Sequence, residues 1–252
     1  MKTVTIAGSP VECNTHEHLV EQAAGYGVYI KSDMRIESGA CIEPDVRVGS
    51  DVCIGSGVCI GPGVRIASGV RIGADVSIGA GASVGSGVCI ESGVYIGPGV
   101  RIESGACIES CVRIGPDVRV GPDVRIESDV CIDSGVRIDS GVYIGSDVCI
   151  GAGVHIGPGV RIESGVWVKS GVQGVIIKVT SFSKIYKYNS AIIKTDQEVY
   201  IRMGCFTRTV NEWSKDFWNN DTEFPKGSEE GARRLLAFNV AMDVLGLQRL
   251  EG

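Results

Sequence analysis

Residues 54–65 read IGSGVCIGPGVR, and this six-residue unit recurs from Ile30 to Val168 without an insertion or a deletion. Every sixth residue of this interval is Ile or Val, which gives twenty-four aliphatic positions in one register. A period of six fits neither an α-helix with 3.6 residues per turn nor a plain strand of period two. Each unit is therefore predicted to be a short strand followed by a corner, and the units are predicted to stack as a solenoid.

The residue types within the unit support this interpretation. Val58 and Ile60 lie on one side of a strand and Cys59 on the other, because alternate side chains of a strand face opposite directions. Gly or Asp at the fourth place suits a backbone with positive φ, and Pro or Ser just before it suits a turn. The position of Cys59 is therefore the outward position of each unit, where any function must lie.

The pattern resembles the hexapeptide-repeat family, whose chains fold as a left-handed parallel β-helix of triangular cross-section with three hexads per coil. The resemblance covers residues 28–172 and implies about eight coils of eighteen residues. At about 4.8 Å per coil the solenoid would be about 38 Å long. Its two open ends need covers, because unpaired strand edges invite association with other chains.

Such covers are predicted on both sides, and the fold class is mainly β. Residues 1–27 are predicted to be an N-terminal cap, a strand in KTVTIAG plus a short helix that Asn14 and Glu17 start as a capping box. Residues 173–252 are predicted to be a small α+β domain. Its predicted elements are strands at 174–180, 184–188, 190–195 and 198–204, a helix that Thr209 and Glu212 start, and a helix from Ser228 to about Leu245 that Gly246 stops.

The amino-acid composition bears on the binding partners and the cellular compartment of the protein. The chain has 252 residues and a net charge of −6, so a general attraction to nucleic acid or to an anionic membrane is not indicated. No run approaches the 18 or more apolar residues of a membrane span. Seven of the ten cysteines occupy outward positions, and free thiols in such numbers indicate a reducing compartment. A cytoplasmic protein is expected.

The outward positions define three faces, since every third unit stacks on the same face. Arg101, Arg119 and Arg137 form a like-charge column on the first face, a predicted strip for phosphate, sulfate or an acidic partner. In the alternative, the outward residues are neutral substitutions, or acidic corner residues neutralise the strip, namely Glu103, Asp139 and the column Glu91, Glu109 and Glu127. Stacked cysteines are poorly oriented for disulfides, and a flat column offers no converging set of metal ligands, so no metal is predicted.

The hexapeptide-repeat family contains many acyltransferases, in which CoA lies between neighbouring β-helices of a trimer and a histidine acts as general base. The resemblance implies His155 as the candidate base, because it is the sole histidine of the repeats. Family members usually place this base beside a loop that projects from a coil, and the repeats here leave no room for one.

The C-terminal segment VYIRMGCFTRTVNEW, residues 199–213, resembles a small domain of uncharacterised bacteriophage proteins. Its Cys205 is expected to be a buried core thiol. The resemblance implies a phage-related setting and possible virion association.

Two hypotheses remain. The favoured one is a non-catalytic rod, a homotrimer without cofactor, that presents the C-terminal domain to a protein or polyanionic partner. The alternative is an acyltransferase that moves an acetyl or acyl group from acetyl-CoA or acyl-CoA to a sugar or amine.

Overall fold

A computed structural model of the chain describes residues 2–13, 16–31, 33–182, 185, 189–217 and 226–250. The N-terminal segment is an antiparallel hairpin of β1 (Lys2–Ile6) and β2 (Ser9–Cys13), followed by helix α1 (His16–Ala24). Strand β1 also pairs in parallel with a strand of the repeats through Ile6 and Ile42. The hairpin therefore extends one sheet of the solenoid at its N-terminal end.

The repeats form twenty-four strands of two residues each, and in every strand the first residue faces outward and the second is buried. These strands are β3 (Tyr29–Ile30), β4 (Arg35–Ile36), β5 (Cys41–Ile42), β6 (Arg47–Val48), β7 (Cys53–Ile54), β8 (Cys59–Ile60), β9 (Arg65–Ile66), β10 (Arg71–Ile72), β11 (Ser77–Ile78), β12 (Ser83–Val84), β13 (Cys89–Ile90), β14 (Tyr95–Ile96), β15 (Arg101–Ile102), β16 (Cys107–Ile108), β17 (Arg113–Ile114), β18 (Arg119–Val120), β19 (Arg125–Ile126), β20 (Cys131–Ile132), β21 (Arg137–Ile138), β22 (Tyr143–Ile144), β23 (Cys149–Ile150), β24 (His155–Ile156), β25 (Arg161–Ile162) and β26 (Trp167–Val168).

These strands build a parallel β-helix of eight coils. Each strand from β3 to β23 pairs in parallel with the strand three units further along, so that Tyr29 pairs with Arg47 and Ile30 with Val48, eighteen residues apart. The strands fall into three sheets, the walls of the solenoid, and each wall receives one strand from every coil. The fold class predicted from the sequence, mainly β with a parallel β-helix of about eight coils, is confirmed.

The core of the solenoid is a continuous stack of aliphatic side chains. Ile102, Ile108 and Ile114 are each at most 2% exposed, and the valines two residues before the isoleucines are equally buried. Burial of an aliphatic side chain of this size stabilises the folded state by about 1.5–3 kcal/mol. The stability of the solenoid is therefore spread evenly along its length.

The backbone conformation at the corners explains why the fourth residue of the unit is Gly or Asp. Residues at this place have φ between about +56° and +87°, as at Asp123 and Gly171. Side chains of most L-residues are strained in this left-handed region, whereas Gly has no Cβ and Asp tolerates it. Cys111 is the exception, with φ +61°.

The C-terminal segment continues the wall that contains β24. Strand β27 (Val175–Phe182) pairs in parallel with β24 and begins an antiparallel meander with β28 (Ser190–Thr195), β29 (Val199–Met203) and β30 (Phe206–Thr209). Helices α2 (Val210–Asp216) and α3 (Glu229–Leu245) pack on this sheet around the buried Trp213 and Phe238.

The predicted helix signals of this segment are confirmed. Thr209 and Glu212 form a reciprocal capping box at the start of α2. The hydroxyl of Ser228 accepts a hydrogen bond from Gly231 at the start of α3, and Gly246 ends α3 in the left-handed conformation.

Two expectations need correction, and two others fall on residues outside the described part of the chain. The N-terminal segment has two strands and not one, since SPVEC returns along β1 as a hairpin. Cys205 is exposed and not buried, because it lies in the two-residue turn between β29 and β30 with Gly204. Asn14 and most of the strand predicted at 184–188 lie outside the described residues.

Candidate active site and anion groove

The first wall of the solenoid carries the predicted arginine column. Arg101 pairs with Arg119, Arg119 with Arg137, and Arg137 with His155, in consecutive coils. The stacking predicted from the eighteen-residue coil is therefore confirmed, and it places His155 at the end of the column. Strand β27 follows next on this wall, where Val175 pairs with His155.

His155 is held by a carboxylate. Its Nε2 lies 2.9 Å from Oδ2 of Asp139, and Nε of Arg137 donates to Oδ1 of the same carboxylate over 3.1 Å. The side chains of His155 and Asp139 are 30% and 26% exposed, so the pair is largely shielded by its neighbours while one side remains open to solvent.

Opposing effects act on the carboxyl of Asp139. Partial burial by itself would raise its pKa, but the hydrogen bonds from His155 and Arg137 outweigh burial and hold the pKa below its ordinary value. Asp139 is therefore ionised at neutral pH, where it accepts hydrogen bonds with both oxygens. Of the acidic residues expected to neutralise the strip, Asp139 does so for Arg137.

The other two arginines of the column, in the described part of the chain, lack a carboxylate contact of this kind. Among the described residues, no carboxylate forms an ion pair with Arg101 or Arg119. All three arginines line an open groove of about 440 Å³, together with Glu103 and Asp139. The groove thus presents three guanidinium groups together with two carboxylates, Glu103 in the coil of Arg101 and Asp139 in the coil of Arg137, next to His155.

The glutamates on a neighbouring corner are satisfied by side chains of the next coil. The hydroxyl of Ser128 donates to Glu109 over 3.2 Å, and the hydroxyl of Ser146 donates to Glu127 over 3.0 Å. Tyr143 also donates to Glu127, and this bond, the largest effect, lowers the pKa of that carboxyl. These glutamates act as links between coils.

No metal centre emerges from the described part of the chain. Within it, no three His, Cys, Asp or Glu side chains are placed to hold a metal ion together. The nine cysteines whose side chains are described are free thiols, and burial, followed by the neighbouring Cys131, raises the pKa of Cys149. A raised pKa keeps the thiol of Cys149 protonated and poorly reactive at neutral pH.

Sequence reasoning placed His155 and the three arginines on one wall but missed the role of Asp139 in orienting the histidine. A signal for it was present, because residues 137 and 139 both face outward and Arg137 lies beneath His155. The residue sixteen positions before His155 lies one coil earlier and two residues beyond Arg137, so an outward acidic side chain there can reach the imidazole. Glu127 and Tyr143 show the same spacing.

Comparison with known proteins agrees with this architecture. The family model described as bacterial transferase hexapeptide (six repeats) matches residues 54–86, 69–104 and 132–164. The class is therefore a hexapeptide-repeat β-solenoid. The matched segments cover about a third of the chain, and within them the repeats are similar to the bacterial transferase hexapeptide family. No curated protein matches the chain in sequence.

Solved structures share the fold at low sequence identity. UDP-N-acetylglucosamine O-acyltransferase (LpxA) of Moraxella catarrhalis RH4 is 16% identical, with a TM-score of 0.50, over 86% of this chain and 90% of that one. The UDP-N-acetylglucosamine acyltransferase of Campylobacter jejuni is 18% identical, with a TM-score of 0.45, over 84% of this chain and 88% of that one. At 16% identity the similarity to the Moraxella catarrhalis structure establishes the fold and not the chemistry.

The comparisons give no support to the resemblance of residues 199–213 to phage proteins, nor to virion association. None of the described helices combines the length and apolar character needed to cross a membrane. The cytoplasmic location expected from the thiols stays a prediction.

Proposed function

We propose that this protein is an acyltransferase in which His155, oriented by Asp139, is the general base. It would move an acetyl or acyl group from a CoA thioester to a hydroxyl or amine of an acceptor such as a sugar. The observation that carries the proposal is the 2.9 Å contact between His155 and Asp139 beside the arginine-lined groove. This proposal departs from the non-catalytic rod that sequence reasoning favoured.

The protonation state of the pair follows from elementary chemistry. An ionised carboxylate only accepts hydrogen bonds, so the nitrogen of His155 that faces Asp139 must carry a proton. In the neutral imidazole the lone pair therefore lies on Nδ1. Asp139 fixes this tautomer and stabilises the imidazolium cation that forms when Nδ1 accepts a proton.

The proposed reaction has two steps. The acceptor oxygen or nitrogen attacks the thioester carbonyl carbon while Nδ1 of His155 takes the acceptor proton. The tetrahedral adduct then collapses, the C–S bond breaks, and the imidazolium returns the proton to the leaving thiolate. The products are a free thiol and an ester or amide, and His155 is again neutral.

The arginine column gives the groove a role in holding the donor. CoA carries phosphate groups, and guanidinium groups bind phosphate oxygens in a bidentate manner. Arg101 and Arg119 have no carboxylate partner among the described residues, so they are open to such an anion. Arg137 is engaged by Asp139 and belongs to the orientation of the base.

The family match also supports the proposal, since the matching model describes transferases. The solved structure with the same fold from Moraxella catarrhalis is an O-acyltransferase that acts on UDP-N-acetylglucosamine. Assembly as a homotrimer, with donor binding between neighbouring solenoids, is part of the proposal. Light scattering tests this part, because a clean monomer would argue against a site between subunits.

The direct test is release of free thiol from acetyl-CoA or a longer acyl-CoA in the presence of a panel of amino and hydroxyl acceptors. We expect His155→Asn to lower the rate by about a hundredfold or more, the usual contribution of a general base. Asp139→Asn should also slow the reaction, with its largest effect on kcat. His18→Asn on α1 is the matched control and should leave the rate unchanged. Equal rates in His155→Asn and the parent chain would refute the proposal.

A second function, the non-catalytic rod, is favoured by one observation. Strands of successive coils pair eighteen residues apart, so within residues 33–172 no loop projects to build the wall of an active site. Millimolar acetyl-CoA distinguishes the two functions in thermal melting, because specific binding to the native state must raise the midpoint. A rod predicts no change, and the acyltransferase predicts a rise that Arg101→Gln and Arg119→Gln reduce.

A further inference from the structure

A cleft separates the last coil of the solenoid from the C-terminal sheet. It has a volume of about 230 Å³ and lies between the corner at residues 164–166 and strands β27, β28 and β29. The volume is several times that of one water molecule in the liquid, about 30 Å³. The cleft therefore has room for a small organic molecule.

Arg202 supplies the charge in this cleft. Its side chain is on the face of the sheet turned towards the solenoid, together with Ser181 and Ala191, since these residues are directly paired across β27, β28 and β29. The guanidinium carbon lies 5.6 Å from the centre of the Trp167 ring in the last coil. Arg202 thus spans the distance between the two parts of the chain.

The guanidinium of Arg202 is not neutralised by the described protein. Its Nη1 is buried and makes no hydrogen bond. The ionisable groups that act on it are two thiols, those of Cys205 and Cys149, and no carboxylate is among them. Burial is the largest effect on Arg202 and lowers its pKa. An unpaired buried donor on a charged group costs free energy that a bound anion would recover.

The other polar groups around the cleft are neutral and can donate hydrogen bonds. Ser164, Ser181 and Asn189 line it, and none of the described residues around the cleft is acidic. The amide nitrogen of Asn189 approaches the corner at Gly165, where an added Cβ would lie 3.2 Å from it. Hydrogen-bond donors of the last coil and of the C-terminal sheet therefore line the same cleft as the guanidinium of Arg202.

We propose that this cleft binds a small monocarboxylate, held by Arg202 with help from Ser181 and Asn189. One cation matches one carboxylate charge, and the planar guanidinium fits a carboxylate in a bidentate manner. A phosphate dianion would leave a negative charge uncompensated in a partly buried place, where an unpaired charge is unfavourable. The ligand would join the C-terminal sheet to the last coil.

The test uses the full chain with sodium acetate and sodium propionate as probes. Sodium chloride of equal ionic strength and sodium phosphate serve as comparison salts. We expect a saturable rise in the melting midpoint with the carboxylates and a chemical-shift change at the side-chain amide of Asn189 in NMR spectra. Chloride should produce neither effect. This readout does not depend on acyl transfer, so its failure is distinct from failure of the proposed function.

Variants separate a built site from a general salt effect. Arg202→Gln should abolish the carboxylate response, and Ser181→Ala should weaken binding about tenfold, the usual effect of losing a hydrogen bond to a charged group. Arg125→Gln, an exposed arginine on another wall, should respond like the parent chain. If Arg202→Gln fails to fold, Arg202→Lys and Ser181→Ala still test the site, because both should bind more weakly.

Three results would overturn the proposal. These are no saturable response to the carboxylates in the folded parent chain, an equal response in every folded variant of Arg202 and Ser181, and a shift of the Asn189 side-chain amide in phosphate as strong as that in acetate.

Discussion

Cys111 occupies a corner position that Gly or Asp fills in the other repeats, and its replacement by Gly should stabilise the protein. Its φ of +61° lies in the left-handed region. This conformation costs a residue with a Cβ about 1–2 kcal/mol. Asp offsets part of the cost by hydrogen bonding locally, whereas no hydrogen bond from the thiol of Cys111 is found in the described structure.

The expected size follows from two opposing contributions. Cys111→Gly removes the strain of about 1–2 kcal/mol. It also raises the conformational entropy of the unfolded chain, which costs about 0.5–1 kcal/mol. The net gain should therefore be about 0.5–1 kcal/mol in the free energy of unfolding.

Gly93, in the corner one coil earlier, provides the reverse change. It has φ +70°, and a Cβ there would meet only Cys111, with Sγ at 3.8 Å and the backbone nitrogen at 3.9 Å, so no clash arises. Gly93→Ala should thus lose about 1 kcal/mol through backbone strain alone.

Denaturant unfolding of the two variants, followed by circular dichroism, measures both changes. Cys111→Ala is the control that removes the thiol and keeps the strain, so its stability should match the parent chain. The reasoning fails if Cys111→Gly is no more stable than Cys111→Ala, or if Gly93→Ala costs nothing.

Three further predictions concern the wall, the core and the C-terminal segment. The pKa of Asp139 in the folded chain is lower than its ordinary value near 3.9. Above that pH the ionised carboxylate therefore stabilises the fold by at most about 1 kcal/mol. This contribution disappears as the pH falls through the pKa of the folded chain. Acid titration of stability should therefore be shallower in Asp139→Asn than in the parent chain, and identical slopes would contradict the role of the hydrogen bonds. Ile114→Ala should lower the free energy of unfolding by about 2–5 kcal/mol, because its side chain is fully buried, whereas the exposed neighbour Arg113→Ala should change it by less than about 0.5 kcal/mol. Equal effects of these two variants in denaturant unfolding would argue against the buried stack. Thr209→Ala should lower the free energy of unfolding by about 1 kcal/mol, because it removes the N-cap of α2. Ser214→Ala, on the exposed side of the same helix, should lower it little. Thermal melting measures both effects, and a larger loss in Ser214→Ala would count against the cap.

The sequence alone was sufficient to predict the solenoid, because each of its contacts repeats at a fixed separation along the chain. An unbroken hexad fixes which residues face inward, and three hexads per coil bring Arg119 above Arg101 and His155 above Arg137. The helix caps at Thr209 and Ser228 were predictable for a similar reason, since a cap depends on residues three positions apart. Neither case requires knowledge of distant contacts.

The contacts on which the proposed function depends were harder to predict from the sequence. The bond between Asp139 and His155 crosses from one coil to the next and depends on side-chain direction, which the repeat register limits but does not specify. Cys205 was expected to be buried, because a short apolar neighbourhood does not reveal a two-residue turn.

What the sequence determined by itself is the periodic part of the protein, the inward rungs and the corners, because local backbone preference and an eighteen-residue circuit are enough to define them. What only the tertiary structure decided is the docking of the C-terminal sheet on the last coil. There the register departs from the repeat, with Val175 twenty residues beyond His155, and the unpaired guanidinium of Arg202 comes to face Trp167. The physical reason is that this contact joins segments that share no repeat, so its geometry depends on how two separately patterned surfaces fit together.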